Sequence, residues 1–210
     1  MHYTKFILIS IIIMIFTTSC NQTTTEKQLM PMYMRDIGHF IDTTFTDSTD
    51  LNLIVDFKYM DTIKKIKECS MEKSIELYSK IIYSDSCTEF PIFEVKNSNN
   101  SVLIVGDKSL CSTIWAMFLI DRSSTTIKKV EIYYKAEISG LGAKISNSEF
   151  EEQFIDLPIP INGHSFGLKQ NEEIIIQGEN IIDGISGATL SSKTVIEISN
   201  KLEIFKEYLN

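Results

Sequence analysis

Histidine, cysteine and tryptophan are scarce in this chain of 210 residues: it has three histidines, four cysteines and one tryptophan. His2, His39 and His164 are scattered and lie in no recognisable metal-binding or Ser-His-Asp pattern, which disfavours peptidase and esterase chemistry. Cys69 and Cys87 flank a predicted helix of about 20 Å, whereas the Cα atoms of a disulfide lie within about 7 Å. We therefore expect free or buried thiols rather than a disulfide framework.

A block of basic residues is also missing. The chain has 20 Lys and Arg residues against 28 Asp and Glu residues, which gives a formal net charge of −8. Nucleic acid and anionic lipid headgroups repel a domain of this charge. We therefore expect no nucleic-acid partner.

No hydrophobic run is long enough for an ordinary membrane span. The apolar run 6–16 has about 11 residues, where a spanning helix needs about 20. It follows Lys5 and precedes Thr17-Thr18-Ser19-Cys20, which is the layout of a signal peptide over residues 1–19. The small residue before Cys20 resembles the lipobox of bacterial lipoproteins, although Thr17 stands where those proteins usually have leucine.

Two kinds of anchor remain open from this segment. The lipobox resemblance implies that Cys20 is lipidated and becomes the new N-terminus. The alternative is a short uncleaved membrane anchor. Both interpretations predict a membrane-anchored, extracytoplasmic protein on the periplasmic side of a bacterium.

Composition and periodicity divide the rest into a polar tether at 20–29, an N-terminal elaboration at 30–90 and a principal domain at 91–210. Strands are predicted at 51–57, 91–96, 101–105, 113–120, 127–134 and 173–178, and helices at 71–83, 148–154 and 191–209. Strands interrupted by single helices favour an α+β fold, with a mostly antiparallel sheet and packed helices.

Two helices have clear signals at the level of single residues. Ser70 is the expected cap of the helix at 71–83, and Ser148 with Glu151 forms a capping-box pattern at 148–154. The last helix is amphipathic, because five apolar residues repeat at intervals of three and four: Val195, Ile198, Leu202, Phe205 and Leu209.

The most informative stretch is the decapeptide 183–192, Asp-Gly-Ile-Ser-Gly-Ala-Thr-Leu-Ser-Ser. It places the Thr189 hydroxyl at the start of the last helix, where unpaired amides and the helix dipole favour an anion such as phosphate. Gly184 and Gly187 let the backbone bend closely around a ligand. The simpler interpretation is an ordinary helix cap, which Ser, Thr and Asp favour.

Three separated segments, 106–120, 133–143 and 183–189, resemble the FMN-binding domain family in the correct order. All three resemble segments of the C subunit of the Na⁺-translocating NADH:quinone reductase. The related G subunit of the Rnf complex shares the second and third. The resemblance covers about residues 91–210.

The resemblance implies that FMN is joined to Thr189 through a phosphoester bond. A separate Mg²⁺-dependent flavin transferase would move FMN from FAD, since a threonine hydroxyl is a poor nucleophile without help. The implied attachment motif is Ser186-Gly187-Ala188-Thr189 with Asp183 before it. The transferase would read Asp183, Ser186 and Gly187, while Ser186 and the amides near Leu190 and Ser191 would hold the phosphate.

The resemblance also implies a wall for the isoalloxazine ring. Gly140, Leu141 and Gly142 would press against the ring face, Trp115 would pack near it, and Glu137 would orient the loop or meet a polar ring edge. Trp115 and Leu141 fit simple packing equally well, and Glu137 fits a solvated surface, because a ligand wall and a core wall need similar residues.

Some positions depart from the family pattern. Ile138-Ser139 replaces a Thr-Pro pair, and Cys111 replaces a tryptophan. The resemblance predicts a flavoprotein that passes electrons between membrane redox partner subunits, without a substrate reaction of its own. The departures leave an alternative: a flavin-free binding or structural lipoprotein derived from this family.

Overall fold

A computed structural model describes residues 32, 35–42, 44–46, 50–84, 87–109, 113–135, 142–161 and 163–209. The chain divides into two compact units, Met1–Asp47 and Ser48–Asn210. In the first unit, residues 35–41 are helical, and the rings of His39 and Phe45 meet edge to face at 5.5 Å. The candidate site lies in the second unit.

The second unit is built on a six-stranded antiparallel sheet in the order β2-β1-β3-β4-β5-β6. Its strands are β1 Val55–Met60, β2 Ile66–Glu68, β3 Phe90–Val95, β4 Asn100–Lys108, β5 Thr113–Asp121 and β6 Thr126–Tyr134. The strands predicted at 91–96, 101–105, 113–120 and 127–134 are confirmed as β3 to β6. The strand predicted at 51–57 starts later than expected, because Leu51–Leu53 forms a 3-10 helix that Asp50 caps.

Helix α1, Met71–Tyr83, covers one face of this sheet and has the predicted bounds. The Lys73 amide donates to Ser70 Oγ at 3.3 Å, which confirms the predicted cap. Its buried side includes Ile75, Tyr78 and Ile82. Cys69 and Cys87, before and after α1, are free thiols.

Helix α3, Thr189–Asn200, packs on the other face of the sheet and continues through a 3-10 helix, Lys201–Phe205, into α4, Lys206–Leu209. The predicted apolar stripe is confirmed, because all five of its residues are buried: Val195, Ile198, Leu202, Phe205 and Leu209. They join the sheet residues in one hydrophobic core. The predicted α+β class is confirmed.

A second sheet, in the order β8-β7-β9, corrects the sequence analysis in two ways. Strand β7, Phe166–Gln170, was missed, and β8, Glu173–Ile176, is followed by β9, Asn180–Asp183, so 173–178 is not the final strand. β7 and β9 pair in parallel. β7 has a buried run, Phe166–Leu168, instead of the apolar–polar alternation of a half-buried strand.

The predicted capping box at 148–154 is wrong. Helix α2 spans only Ser148–Glu151, with Asn147 as its N-cap, and a 3-10 helix, Glu152–Phe154, follows. Glu151 does not reach back to the cap. Instead, its Oε1 accepts a hydrogen bond from the Ile132 amide at 2.7 Å and ties α2 to the edge strand β6.

Candidate functional site

The segment between β9 and α3, residues 184–188, is called the attachment loop below. The Ala188 amide donates to the Ile185 carbonyl at 2.9 Å, and Gly187 has a φ of +80°. These are the features of a type II turn, which requires a positive φ at its third residue. The turn therefore requires glycine at 187 for a conformational reason.

Three hydrogen bonds attach this loop to the surrounding structure. The Gly184 amide donates to the Lys169 carbonyl of β7 at 2.7 Å, and Gln170 Nε2 donates to the Ile185 carbonyl at 2.8 Å. The Ile185 amide in turn donates to Ser192 Oγ of α3 at 3.1 Å. The loop is thus held by both the second sheet and the helix that follows it.

Thr189 is the first residue of α3 and is exposed, while Ser191 is buried. The N-cap position belongs to Ala188, which makes no side-chain cap hydrogen bond. An α-helix leaves its first amides without intrahelical acceptors. The loop is therefore a helix N-terminus, as the simpler interpretation predicts, although its N-cap is alanine rather than Ser, Thr or Asp; the amides of Thr189 and Leu190 start a helix whose first turn contains no acidic residue.

A cavity of about 250 Å³ lies beside the attachment loop. On one side it is bordered by Asp183, Gly184 and Ile185, and on the other by residues of α2 and its flanks: Lys144, Asn147, Glu149, Phe150 and Gln153. Lys144 belongs to the 3-10 helix that begins at the buried Gly142. The third sequence segment therefore borders this cavity, and Lys144, the residue after the second segment, lies on its other side.

Gln170 carries a feature that fits a bound group. Its residue is only 6% exposed, and its Nε2 holds the Ile185 carbonyl. Among the described residues, its Oε1 is the buried side-chain oxygen that has no hydrogen-bond partner. A buried acceptor without a partner costs about 1–3 kcal/mol. FMN carries hydroxyl and ring N–H donors, so the residues beside the loop fit this group.

The structure separates Trp115 from the attachment loop. Trp115 Nε1 donates to the hydroxyl of Tyr78 on α1 at 3.3 Å, and its ring stacks on Tyr133 with centroids 5.6 Å apart. Its strand neighbours Ile114 and Ala116 share the opposite core with α3. These contacts support the packing interpretation of Trp115.

Several predicted positions lie outside the described residues: Cys20, Cys111, Glu137, Ile138, Ser139, Gly140 and Leu141. Their predicted roles stay predictions, as do the roles of Asp183, Ser186 and Leu190, which are all exposed. In the described ranges, no group of three or more acidic, histidine or cysteine side chains is placed to hold a metal ion. No described helix has both the length and the apolar character to cross a bilayer.

Gln153, Gln170 and Ser192 hold the loop in place and were not predicted from the sequence. Ser192 lies inside the decapeptide, three residues after Thr189, and this position was the one sequence signal that could have indicated its contact with the loop. Gln153 and Gln170 come from distant segments, and no spacing in the sequence links them to residue 183 or 185.

Residues 110–202 match the family described as the FMN-binding domain. Over 95 residues the chain is 30% identical to the C subunit of the Na⁺-translocating NADH-quinone reductase of Vibrio alginolyticus, covering 45% of this chain and 37% of that one. Over 78 residues it is 32% identical to the G subunit of an ion-translocating oxidoreductase complex of Methanosarcina acetivorans, covering 37% and 36%. The chain thus matches little more than a third of these relatives' length.

The fold is similar to solved structures over most of the chain. The crystal structure of the C subunit of the Na⁺-translocating NADH-quinone reductase from Parabacteroides distasonis aligns with a TM-score of 0.70 at 19% identity, covering 91% of this chain and 97% of that one. The crystal structure of Shewanella oneidensis NqrC aligns with a TM-score of 0.65 at 14% identity, covering 84% of this chain and 96% of that one. The resemblance to the FMN-binding domain family that the three segments predicted is confirmed by the match of residues 110–202.

Proposed function

We propose, from the membership of residues 110–202 in the FMN-binding domain family, that the chain carries FMN covalently on Thr189 and passes electrons between redox partners. The observation that carries this proposal is the geometry at residue 189. An exposed threonine opens a helix whose N-cap is alanine, at the end of a glycine turn held by hydrogen bonds. A phosphate joined to this hydroxyl would lie against the positive end of α3.

The protein's part in this function is to hold and tune the flavin. Bound FMN supplies the redox chemistry, as cofactors do in general. Thr189 would fix the phosphate, the first amides of α3 would stabilise its charge, and Gln170 Oε1 would accept a hydrogen bond from the group. The cavity beside Asp183 and Gly184 leaves room for part of it.

A separate flavin transferase would form the bond. The decapeptide 183–192 contains no histidine or lysine that could take the hydroxyl proton from Thr189. His164 is paired with Glu179, Nδ1 to Oε2, at 2.7 Å. We therefore assign the general base and the Mg²⁺ ion to the transferase.

Co-expression with a flavin transferase tests the covalent link. The full chain, separated on a denaturing gel, is expected to show flavin fluorescence under ultraviolet light. Thr189→Ala is expected to abolish the band, whereas Thr189→Ser keeps a hydroxyl and is expected to retain part of it. A fluorescent band in the alanine variant would refute attachment at Thr189.

The same experiment decides between the proposal and the flavin-free alternative. The departures Cys111, Ile138 and Ser139 favour that alternative, because they remove residues that the family uses near the ring. No fluorescence in the wild-type chain, with a positive control flavoprotein labelled in the same cells, would favour a flavin-free binding or structural lipoprotein.

We also propose that the chain is membrane-anchored and extracytoplasmic. The signal-like segment 1–19 and Cys20 support this location, and so does the descent from a family with members in membrane redox complexes. Mass spectrometry of the N-terminal peptide is expected to find a diacylglycerol modification on Cys20. An unmodified, uncleaved N-terminus in the membrane fraction would instead support the short anchor.

A further inference from the structure

We propose that Gln153 is a positioning residue for the transfer of FMN to Thr189, an inference that rests on the proposed function above. The side-chain amide of Gln153 holds both polar groups of the Asp183 backbone. The Asp183 amide donates to Gln153 Oε1 at 2.7 Å, and Gln153 Nε2 donates to the Asp183 carbonyl at 3.2 Å. This pair of hydrogen bonds is called the Gln153 clasp below.

The clasp acts where β9 ends and the attachment loop begins. Strand β9 pairs with β7 along one side, so the backbone groups on its other side form a sheet edge. Gln153 bonds to this edge as a neighbouring strand would, at the last residue of the strand. The next residue, Gly184, is held from the β7 side by the Lys169 carbonyl at 2.7 Å. The start of the loop is therefore fixed from two opposite sides.

The segment that carries Gln153 is held firmly against the core. Its neighbours Phe150 and Phe154 are buried and pack edge to face with ring centroids 5.8 Å apart. Glu151 ties the same segment to the Ile132 amide of the large sheet. The clasp thus fixes Asp183 relative to the main core, because the segment 150–154 that carries Gln153 is itself packed and hydrogen-bonded in place.

Transfer of FMN makes strong demands on position. Thr189 Oγ attacks the phosphorus of the FMN half of FAD, an Oγ–P bond forms, and the pyrophosphate bond breaks. AMP leaves, and the hydroxyl proton goes to a base of the transferase. A displacement of about 1 Å at a reacting group can cost about 100-fold in rate. Asp183 lies six residues before Thr189, so an enzyme that reads both needs their separation to be constant.

Two substitutions at Gln153 distinguish a positioning role of the clasp from an effect on overall stability. Gln153→Met keeps the length of the side chain and removes both hydrogen bonds. Gln153→Glu keeps an acceptor for the Asp183 amide, but it loses the donor and places a second negative charge beside Asp183. Glu152→Gln is the control, because Glu152 is an exposed neighbour in the same 3-10 helix.

The experiment measures the rate of covalent labelling of the purified, flavin-free full chain by flavin transferase with FAD and Mg²⁺. Hydrogen exchange of the peptide 180–188 and thermal unfolding are measured on the same samples. We expect Gln153→Met and Gln153→Glu to label at least about 10-fold more slowly than the wild type, with faster exchange confined to that peptide and a melting temperature close to wild type. The control is expected to match the wild type in all three.

Labelling of both Gln153 variants within twofold of the wild type would overturn the positioning role, while leaving attachment at Thr189 intact. A wild-type chain that accepts no FMN would overturn the proposed function and the positioning role together. Slow labelling with a large loss of melting temperature in both variants would count against the inference too, because it would show a structural role only.

Discussion

The Ala188 amide donates to the Ile185 carbonyl at 2.9 Å, and this hydrogen bond closes the turn that presents Thr189. Gly187 adopts a φ of +80° inside that turn. A residue with a Cβ in such a conformation costs about 1–2 kcal/mol. We predict that Gly187→Ala lowers the free energy of unfolding by about that amount and slows covalent FMN labelling markedly.

Gly163→Ala is the matched control for this prediction. Gly163 also has a positive φ, +98°, and a Cβ there would meet nothing within 4 Å. It should show similar backbone strain in urea unfolding but a normal labelling rate on gels. Equal labelling of the two alanine variants would show that the turn at Gly187 does not govern attachment.

Trp115 provides a test of which residues form the flavin wall. Its indole donates to the Tyr78 hydroxyl on the face of the sheet opposite α3. We predict that Trp115→Phe lowers the free energy of unfolding by about 1–3 kcal/mol, through the lost hydrogen bond and lost volume. The flavin absorption spectrum and the FMN content per chain should be unchanged. A shifted spectrum would restore Trp115 to the flavin site.

The carboxyl of Glu151 is expected to make the free energy of unfolding depend on pH. Burial raises the pKa of Glu151, against a smaller lowering by the Ile132 amide. An acid with a raised pKa in the folded state favours the protonated form, so its contribution to stability is lost as pH rises through that pKa. Glu151→Gln keeps an acceptor without the charge. It should match the wild type near pH 4 and be more stable near pH 8.

Glu151→Ala completes the comparison. It leaves the Ile132 amide without its acceptor and should cost about 1–3 kcal/mol near pH 4, and less near pH 8, where the ionised wild-type carboxylate is itself unfavourable. Urea unfolding at the two pH values measures all three proteins. A glutamine variant that is less stable than the wild type at pH 8 would contradict the assignment.

The pair Glu94 and Tyr208 is expected to give stability a pH dependence opposite in sign to that of Glu151. Burial alone would raise the pKa of Glu94, but hydrogen bonds from Lys58 and Tyr208, and the charges of Lys58 and Arg122, outweigh it and lower the pKa. The stability gained is present above the ordinary value of 4.5 and is lost as pH falls through the lowered pKa. The Tyr208 hydroxyl lies 2.7 Å from Glu94 Oε1 and 2.7 Å from Ser101 Oγ.

Tyr208→Phe is therefore predicted to cost about 1–3 kcal/mol at pH 7, because the ionised carboxylate loses a donor. The loss should be smaller at pH 3, where the carboxyl is more protonated. Chemical unfolding at both pH values measures the difference. A loss that is the same at pH 3 and pH 7 would show that the hydroxyl serves Ser101 rather than the carboxylate.

Local signals predicted much of the fold. Ser70 predicted the start of α1, and the apolar repeat from Val195 to Leu209 predicted the buried side of the last helix. The pairing of β7 with β9 was not accessible in this way, because parallel pairing joins distant segments and leaves no local turn signal. The capping box failed because the tertiary contact of Glu151 with Ile132 replaced the local one.

The candidate site was predicted in part. The decapeptide 183–192 carries its own turn chemistry in Gly187, so the sequence alone located the loop. The residues that hold it, Gln153 and Gln170, lie 30 and 15 positions from the groups that they bind. Glutamine is a common surface residue with no spacing rule, so only the folded arrangement identifies these two.

Peptide mass spectrometry of the full chain, after co-expression with a flavin transferase, decides whether FMN is joined to Thr189. We predict that the peptide containing Thr189 gains the mass of FMN less one water, and that fragmentation places the added group on the Thr189 side chain. An unmodified Thr189 peptide in protein that retains FMN through denaturation, or FMN on another residue, would contradict it.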